Sequence, residues 1–148
     1  MENVSIRLTT EQDLPVLNQI DHVARDESER RLFIKDATHA NRAWTIEAAE
    51  TIVGYGIISH GFFGRSFLEL VYIDENRRSE GYGPVLISFL EKQSASADLF
   101  TSTNESNAHM QRVLEKLDYE RSGTIYNLDL GDPEIIYVKK NVKPSPAQ

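Results

Sequence analysis

The chain has 148 residues, a length that suits one compact domain with a sizeable core, and 40% hydrophobic with 26% charged residues marks a globular protein rather than a disordered one. The 16 basic against 23 acidic side chains leave a formal net charge of -7, which argues against a general nucleic-acid binder. The absence of cysteine excludes a disulfide framework, a thiolate nucleophile, a thiolate zinc site and an iron–sulfur cluster.

Val4 to Leu8 alternates apolar with polar residues and predicts a short strand. A helix should follow, capped by Thr10 or Asp13, with Pro15 in its first turn and Leu14, Leu17, Ile20 and Val23 or Ala24 at helical spacing. Asp26 to Arg42 reads as a second helix with a solvated face and an apolar stripe of Leu32, Phe33, Ile34 and Ala37. From Ala43 the period falls to two. Trp44–Ala48 and Thr51–Ser59 predict a hairpin across Ala49 and Glu50, and Phe67–Ile73 predicts the next strand after a turn containing Gly61 and Gly64. A loop over Asn76–Gly83 leads to a helix opened by Pro84, with Val85, Leu86, Phe89 and Leu90 on its apolar face. Leu99–Thr103 is expected as a strand, followed through Asn107 by a helix carrying Met110, Val113, Leu114 and Leu117. Tyr119–Leu130 and Ile135–Val138 close the pattern as strands around the turn Gly131-Asp132-Pro133.

The order predicts a mixed α/β domain over residues 1–140, with about seven strands and four helices on both sheet faces, and a flexible tail over 141–148. No window approaches the roughly 18 apolar residues of a membrane span, and Met1-Glu2-Asn3-Val4-Ser5 has no basic stretch leading into an apolar one. A cytoplasmic protein with no membrane and no nucleic-acid partner is expected.

The segment from Leu70 to Leu86 carries the chemistry. An apolar strand, Leu70-Val71-Tyr72-Ile73, enters a loop with Arg77, Arg78 and two spaced glycines, and the loop feeds a helix N-terminus. That is an anion cradle: glycines admit a bulky oxyanion, exposed amides donate to it, and the helix dipole and arginines add positive potential. A dinucleotide fingerprint fails because the third small residue is replaced by Leu86, and the Gly-Lys-Ser/Thr of a nucleotide P-loop occurs nowhere. Arg78-Ser79-Glu80-Gly81-Tyr82-Gly83 does match Arg/Gln-x-x-Gly-x-Gly/Ala at a strand-to-helix junction. With the element order from Val4 to Val138 and the segment Asn107–Tyr119, the chain resembles the GNAT superfamily of acyl-CoA-dependent N-acetyltransferases.

The resemblance implies a mostly antiparallel GNAT sheet, acetyl-CoA as co-substrate with no metal, and an acetyl group moved to a primary amine of a small molecule or peptide. It places the backbone of Val71, Tyr72 and Ile73 against the pantetheine arm. Arg78, Ser79, Gly81, Tyr82 and Gly83 fall around the pyrophosphate, and Asn107 is either a cofactor contact or a plain helix cap. Homodimers are common in the superfamily. Three departures stand out. Pro84 lacks an N–H at the helix start, Asp118 replaces the glycine of a Leu-Gly-Phe turn, and Leu114 occupies the place where many members carry the tyrosine that protonates the departing thiolate.

Direct attack in a ternary complex needs no cysteine. Glu69, on an apolar strand, is a candidate base with a raised pKa or else a strand-edge carboxylate; Tyr126, in the late strand, is a candidate acid or else a packed tyrosine. His22, His39, His60 and His109 share no ligand spacing and read as surface or helix residues. Asn127 and Asp129, with Asp132 and Glu134, border the expected acceptor cleft, where carboxylates would favour a cationic amine; a solvated acidic hairpin is the other reading. A non-catalytic acyl-CoA sensor or interaction module on the same fold is the alternative function.

Overall fold

The computed structural model describes residues 3–143. The strands are β1 (Val4–Leu8), β2 (Ala43–Ala48), β3 (Thr51–Phe62), β4 (Arg65–Ile73), β5 (Leu99–Asn104), β6 (Glu120–Ile125) and β7 (Glu134–Lys139). The helices are α1 (Leu14–Ile20), α2 (His22–Asp26), α3 (Ser28–His39), α4 (Tyr82–Glu91) and α5 (Ala108–Lys116), with single 3-10 turns at Glu11–Asp13 and Glu75–Arg77. The seven strands form one sheet in the order β1-β2-β3-β4-β5-β7-β6. Its described pairings are antiparallel except for the parallel pair β4–β5. The expected mixed, mostly antiparallel α/β sheet is what forms. Among the described residues no helix is long and apolar enough to cross a membrane.

The chain divides into two compact units. The first comprises the described chain up to Ile58 together with Leu70–Leu90; the second comprises Ser59–Glu69 and the described chain from Glu91 onward.

In the first unit the hairpin turn falls at Ala49 and Glu50, both at positive φ (50° and 66°), the geometry whose twist matches paired strands. Tyr55 and Ile57 of β3 are buried in one cluster with Leu17, Ala24, Ile34 and Ala37 of α1, α2 and α3. The alternate residues Gly54 and Gly56 face the other way, as the period of a strand requires. A Cβ on Gly56 would lie 2.6 Å from Leu90 Cδ1, so the glycine makes room for α4. Helices therefore cover both faces of β3. The expected first helix is broken in two at Asp21, whose backbone is extended (φ -85°, ψ 111°) and whose carboxylate caps α2 by accepting from the amides of Val23 (2.9 Å) and Ala24 (3.2 Å). Arg7 locks β1 to the following turn through Asp13 (2.7 and 3.0 Å) and to β2 through Glu47 (2.6 Å). The hydrogen bond from Arg7 holds the Asp13 carboxyl below its usual range against the opposing effect of burial.

In the second unit the chain leaves α5 past its cap Leu117 through Asp118, which adopts φ 70° while the amide of Tyr119 reaches back to the carbonyl of Leu114 at 2.9 Å. That is a left-handed helix stop with aspartate in the place of glycine, as the sequence anticipated. Leu114 and Tyr119 are both buried there. The long strand expected over Tyr119–Leu130 is shorter. β6 stops at Ile125, Asn127 turns left-handed (φ 72°), and the chain forms a loop from Tyr126 to Pro133. Beyond β7, the amides of Asn141 and Val142 bond Asp98 Oδ1 (3.3 Å) and the Ala97 carbonyl (2.9 Å), so the start of the expected tail is attached to the fold; residues 144–148 lie outside the described residues.

Candidate functional site

β4 delivers Val71, Tyr72 and Ile73 to the mouth of the loop that precedes α4, all within the first unit. The loop begins with Asp74 capping the 3-10 turn by accepting from the amide of Asn76 (3.1 Å). Two left-handed residues follow within three positions, Ser79 (φ 65°) and Gly81 (φ 92°). Among the described residues no acceptor meets the amides of Arg78, Ser79, Glu80 or Gly81. α4 opens at Tyr82 rather than at Pro84, which sits inside the first turn where its missing N–H has no intrahelical role. Amides left without a protein acceptor just before a helix N-terminus are donors that an anion can use.

The two arginines divide the work. Arg78 Nε donates to the Ile73 carbonyl at 3.0 Å and its guanidinium carbon lies 5.1 Å from the Tyr72 ring centroid, while its terminal nitrogens meet no acceptor among the described residues. It is thus held in place with its fork available to an oxyanion. Arg77 instead braces the loop: Nε reaches Glu80 Oε2 at 3.2 Å and Nη2 reaches the buried Tyr82 hydroxyl at 3.2 Å. Its charge is partly answered by Glu80, so it contributes less free positive potential than the sequence suggested. Gly83 leaves open space, since a Cβ there would meet only Ile73 Cγ1 at 3.9 Å.

Behind the loop lies a polar network the sequence did not reveal. The fully buried Asp21 carboxylate accepts from the Tyr55 hydroxyl and from Arg30 Nε (3.0 Å). Burial pushes this carboxyl up, but the Tyr55 hydrogen bond, the Arg30 charge and the α2 amides outweigh it and hold it below the usual carboxylate range. Burial and the same contact drive the Tyr55 phenol upward. The Tyr55 ring stacks on Tyr72 at 6.2 Å, and the Tyr72 hydroxyl meets His22 twice, accepting from its amide (3.1 Å) and lying 2.5 Å from Nδ1. The signal was an Asp-His pair between two helical stretches, which reads equally well as a cap.

The remaining sequence candidates belong to the second unit. Glu69 is exposed on β4, so the apolar surroundings expected for it do not enclose it; the alternation of β4 turns it outward between buried Leu68 and half-buried Leu70. Asn107 caps α5, its Oδ1 accepting from the Met110 amide at 3.1 Å. Tyr126 is not in a strand: it is 66% exposed in the loop, and with Asn127, Asp129 and Pro133 it lines a pocket of about 350 Å³. Asp129 accepts from Asn104 Nδ2 (2.9 Å), and Asp132 accepts from both the amide (3.0 Å) and the hydroxyl (2.6 Å) of Ser106. Glu134 accepts from the Ser102 hydroxyl at 2.7 Å. No group of three or more metal-ligating side chains occurs among the described residues.

The family model described as Acetyltransferase (GNAT) family matches residues 9–119. Among solved structures, an acetyltransferase of the GNAT family from Bacillus cereus ATCC 10987 is 32% identical, with a TM-score of 0.88 over 95% of this chain and 99% of that one. The yncA structure from Salmonella typhimurium, solved with its cofactor acetyl-CoA, superposes at a TM-score of 0.75 with 14% identity over 97% and 96% of the two chains. The ribosomal-protein-S18-alanine N-acetyltransferase from Escherichia coli gives 0.72 with 19% identity over 97% of each. Among curated protein sequences none matches the chain.

Proposed function

The chain belongs to the GNAT family of acetyltransferases, and from that premise we propose that it moves an acetyl group from acetyl-CoA to a primary amine of a small molecule or peptide by direct attack. The observation that carries the reading is the run of amides from Arg78 to Gly81 with no acceptor of their own, next to the anchored Arg78 fork. These groups would hold the pyrophosphate of coenzyme A, as the open space at Gly83 allows. When bound, acetyl-CoA supplies an activated acyl group on a good leaving group. The backbone of Val71, Tyr72 and Ile73 would align the pantetheine arm.

An alkyl amine is protonated at neutral pH and must shed a proton before it attacks. Glu69, solvated on β4, is assigned that step. Tyr126, Asn127 and Asp129 are assigned to the acceptor: their pocket also carries Asp132 and no basic side chain, a composition that favours a cationic amine. The experiment is thiol release from acetyl-CoA across free amino acids, polyamines and short peptides. Amine-dependent release supports the proposal. A second reading, an acyl-CoA sensor without turnover, is favoured by one fact, that Leu114 puts buried hydrocarbon where the usual acid would stand. It predicts thermal stabilisation by acetyl-CoA with no thiol released for any amine.

A further inference from the structure

We propose that His22 and Tyr72 form a proton relay in which His22 takes a proton from the attacking amine at Nε2 and Tyr72 delivers one from its hydroxyl to the departing thiolate; this rests on acetyl transfer being the reaction of the chain. The extended backbone at Asp21 ends α1 and starts α2 so that both the amide and the ring of His22 meet one phenol oxygen, at 3.1 Å and 2.5 Å. The rings lie 5.6 Å apart. Tyr72 is buried, stacked on Tyr55, whose hydroxyl is fixed by Asp21, whereas His22 is exposed. One partner thus faces the interior and the other faces solvent, as a relay requires.

A phenol oxygen carries one hydrogen and two lone pairs. The His22 amide occupies one lone pair. In the Nδ1–H tautomer the imidazole occupies the second, so the phenolic hydrogen is left for a third partner and Nε2 presents its lone pair outward. Arg78 ties the pair to the anion loop, bonding the carbonyl of Ile73 while lying over the Tyr72 ring. The charged groups around the pair are Arg78 over that ring, Asp21 with Arg30 behind Tyr55, and Arg25 of α2 with its partner Glu75 at 3.7 Å.

The step balances. The amine nitrogen bonds the carbonyl carbon and the carbon–sulfur bond breaks with its electron pair on sulfur. The nitrogen's proton passes to Nε2, the Nδ1 proton passes to the phenol oxygen, and the phenolic proton passes to sulfur. The products are an amide and a free thiol, and His22 is left as the Nε2–H tautomer, which exchange with water resets. The relay also supplies the acid that Leu114 cannot provide.

The test uses Tyr72→Phe and His22→Gln in the full chain. Tyr72→Phe is expected to lower kcat about 100-fold with the acetyl-CoA Kd unchanged, and His22→Gln to lower kcat to a similar extent, again with the acetyl-CoA Kd unchanged. Nitrogen-15 NMR of the histidines gives a readout independent of turnover. The wild type should hold His22 in the Nδ1–H form, Tyr72→Phe should release it toward Nε2–H, and added coenzyme A should shift the wild-type resonance. A wild-type Nε2–H form, resonances unmoved by Tyr72→Phe, or full turnover by that variant overturns the relay. A wild type that neither binds acetyl-CoA nor releases thiol overturns the acetyltransferase reading instead, while the tautomer measurement still decides the pair.

Discussion

Two loops leave the ends of strands in this molecule, and they handle their polar groups in opposite ways. The loop from Asn76 to Gly81 leaves the amides of Arg78 to Gly81 without an acceptor among the described residues, bends through two left-handed residues, and keeps one arginine anchored but open. Tyr126–Pro133 directs its carboxylates inward to Asn104 and Ser106 and leaves Leu128 and Leu130 exposed. The first arrangement leaves donors without a protein partner; the second largely satisfies itself. Net charge alone would have suggested the reverse emphasis, since the chain is acidic overall. Carboxylates bonded within a loop keep their negative charge but use part of their accepting capacity internally, whereas amides without a protein acceptor keep their donors available.

The sharpest way to probe that contrast is through carboxylates placed differently. Asp21, buried behind the first loop, should lose about 3 kcal/mol of stability on Asp21→Asn, read by denaturant unfolding at neutral pH. Its folded pKa lies below the unfolded one, so its contribution is complete above roughly pH 4, the unfolded carboxylate value, and is lost as pH falls through the folded value. The penalty of the variant should shrink over that window; a penalty independent of pH would show that charge is not what Asp21 contributes. Next, Gly83→Glu should weaken acetyl-CoA at least 100-fold by calorimetry, about 2.7 kcal/mol, while the unliganded melting point moves little, because its Cβ meets only Ile73 Cγ1. Undiminished binding would end the assignment of the cradle. In the second loop Asp132→Ala should cost about 1 kcal/mol by freeing Ser106, with acetyl-CoA affinity unchanged. Equal losses of cofactor binding in both loops would erase the distinction between them. The smallest effect belongs to Leu130→Ser, expected within about 0.5 kcal/mol in the same unfolding measurement because the side chain is already fully exposed.

Much of the fold was legible because local rules and tertiary context agreed. The change of period at Ala43, the two-residue turn at Ala49 and Glu50, and the aspartate stop at Asp118 each have a short-range cause that the structure repeats. The bend of the loop before α4 was legible for the same reason, since glycine spacing and a helix start are local properties. Side-chain assignments fared differently. Glu69 was expected in apolar surroundings from its strand neighbours, yet strand alternation turns it to solvent. Tyr126 was placed in a strand that ends one residue earlier, at Ile125. His22 was read as a surface histidine, and exposed it is, but its partner lies 50 positions along the chain.

The sequence by itself determined the family, the order of elements and the loop that offers its amides, because periodicity, capping and glycine placement act over a few residues. Only the tertiary structure decided which polar side chains meet. Arg30, Asp21 and Tyr55 become one buried network, and Tyr72 receives His22, because α1, α2 and α3 pack on the β3 face that carries Tyr55. Hydrogen bonds between residues distant in sequence are set by how elements pack, and no local pattern records that packing.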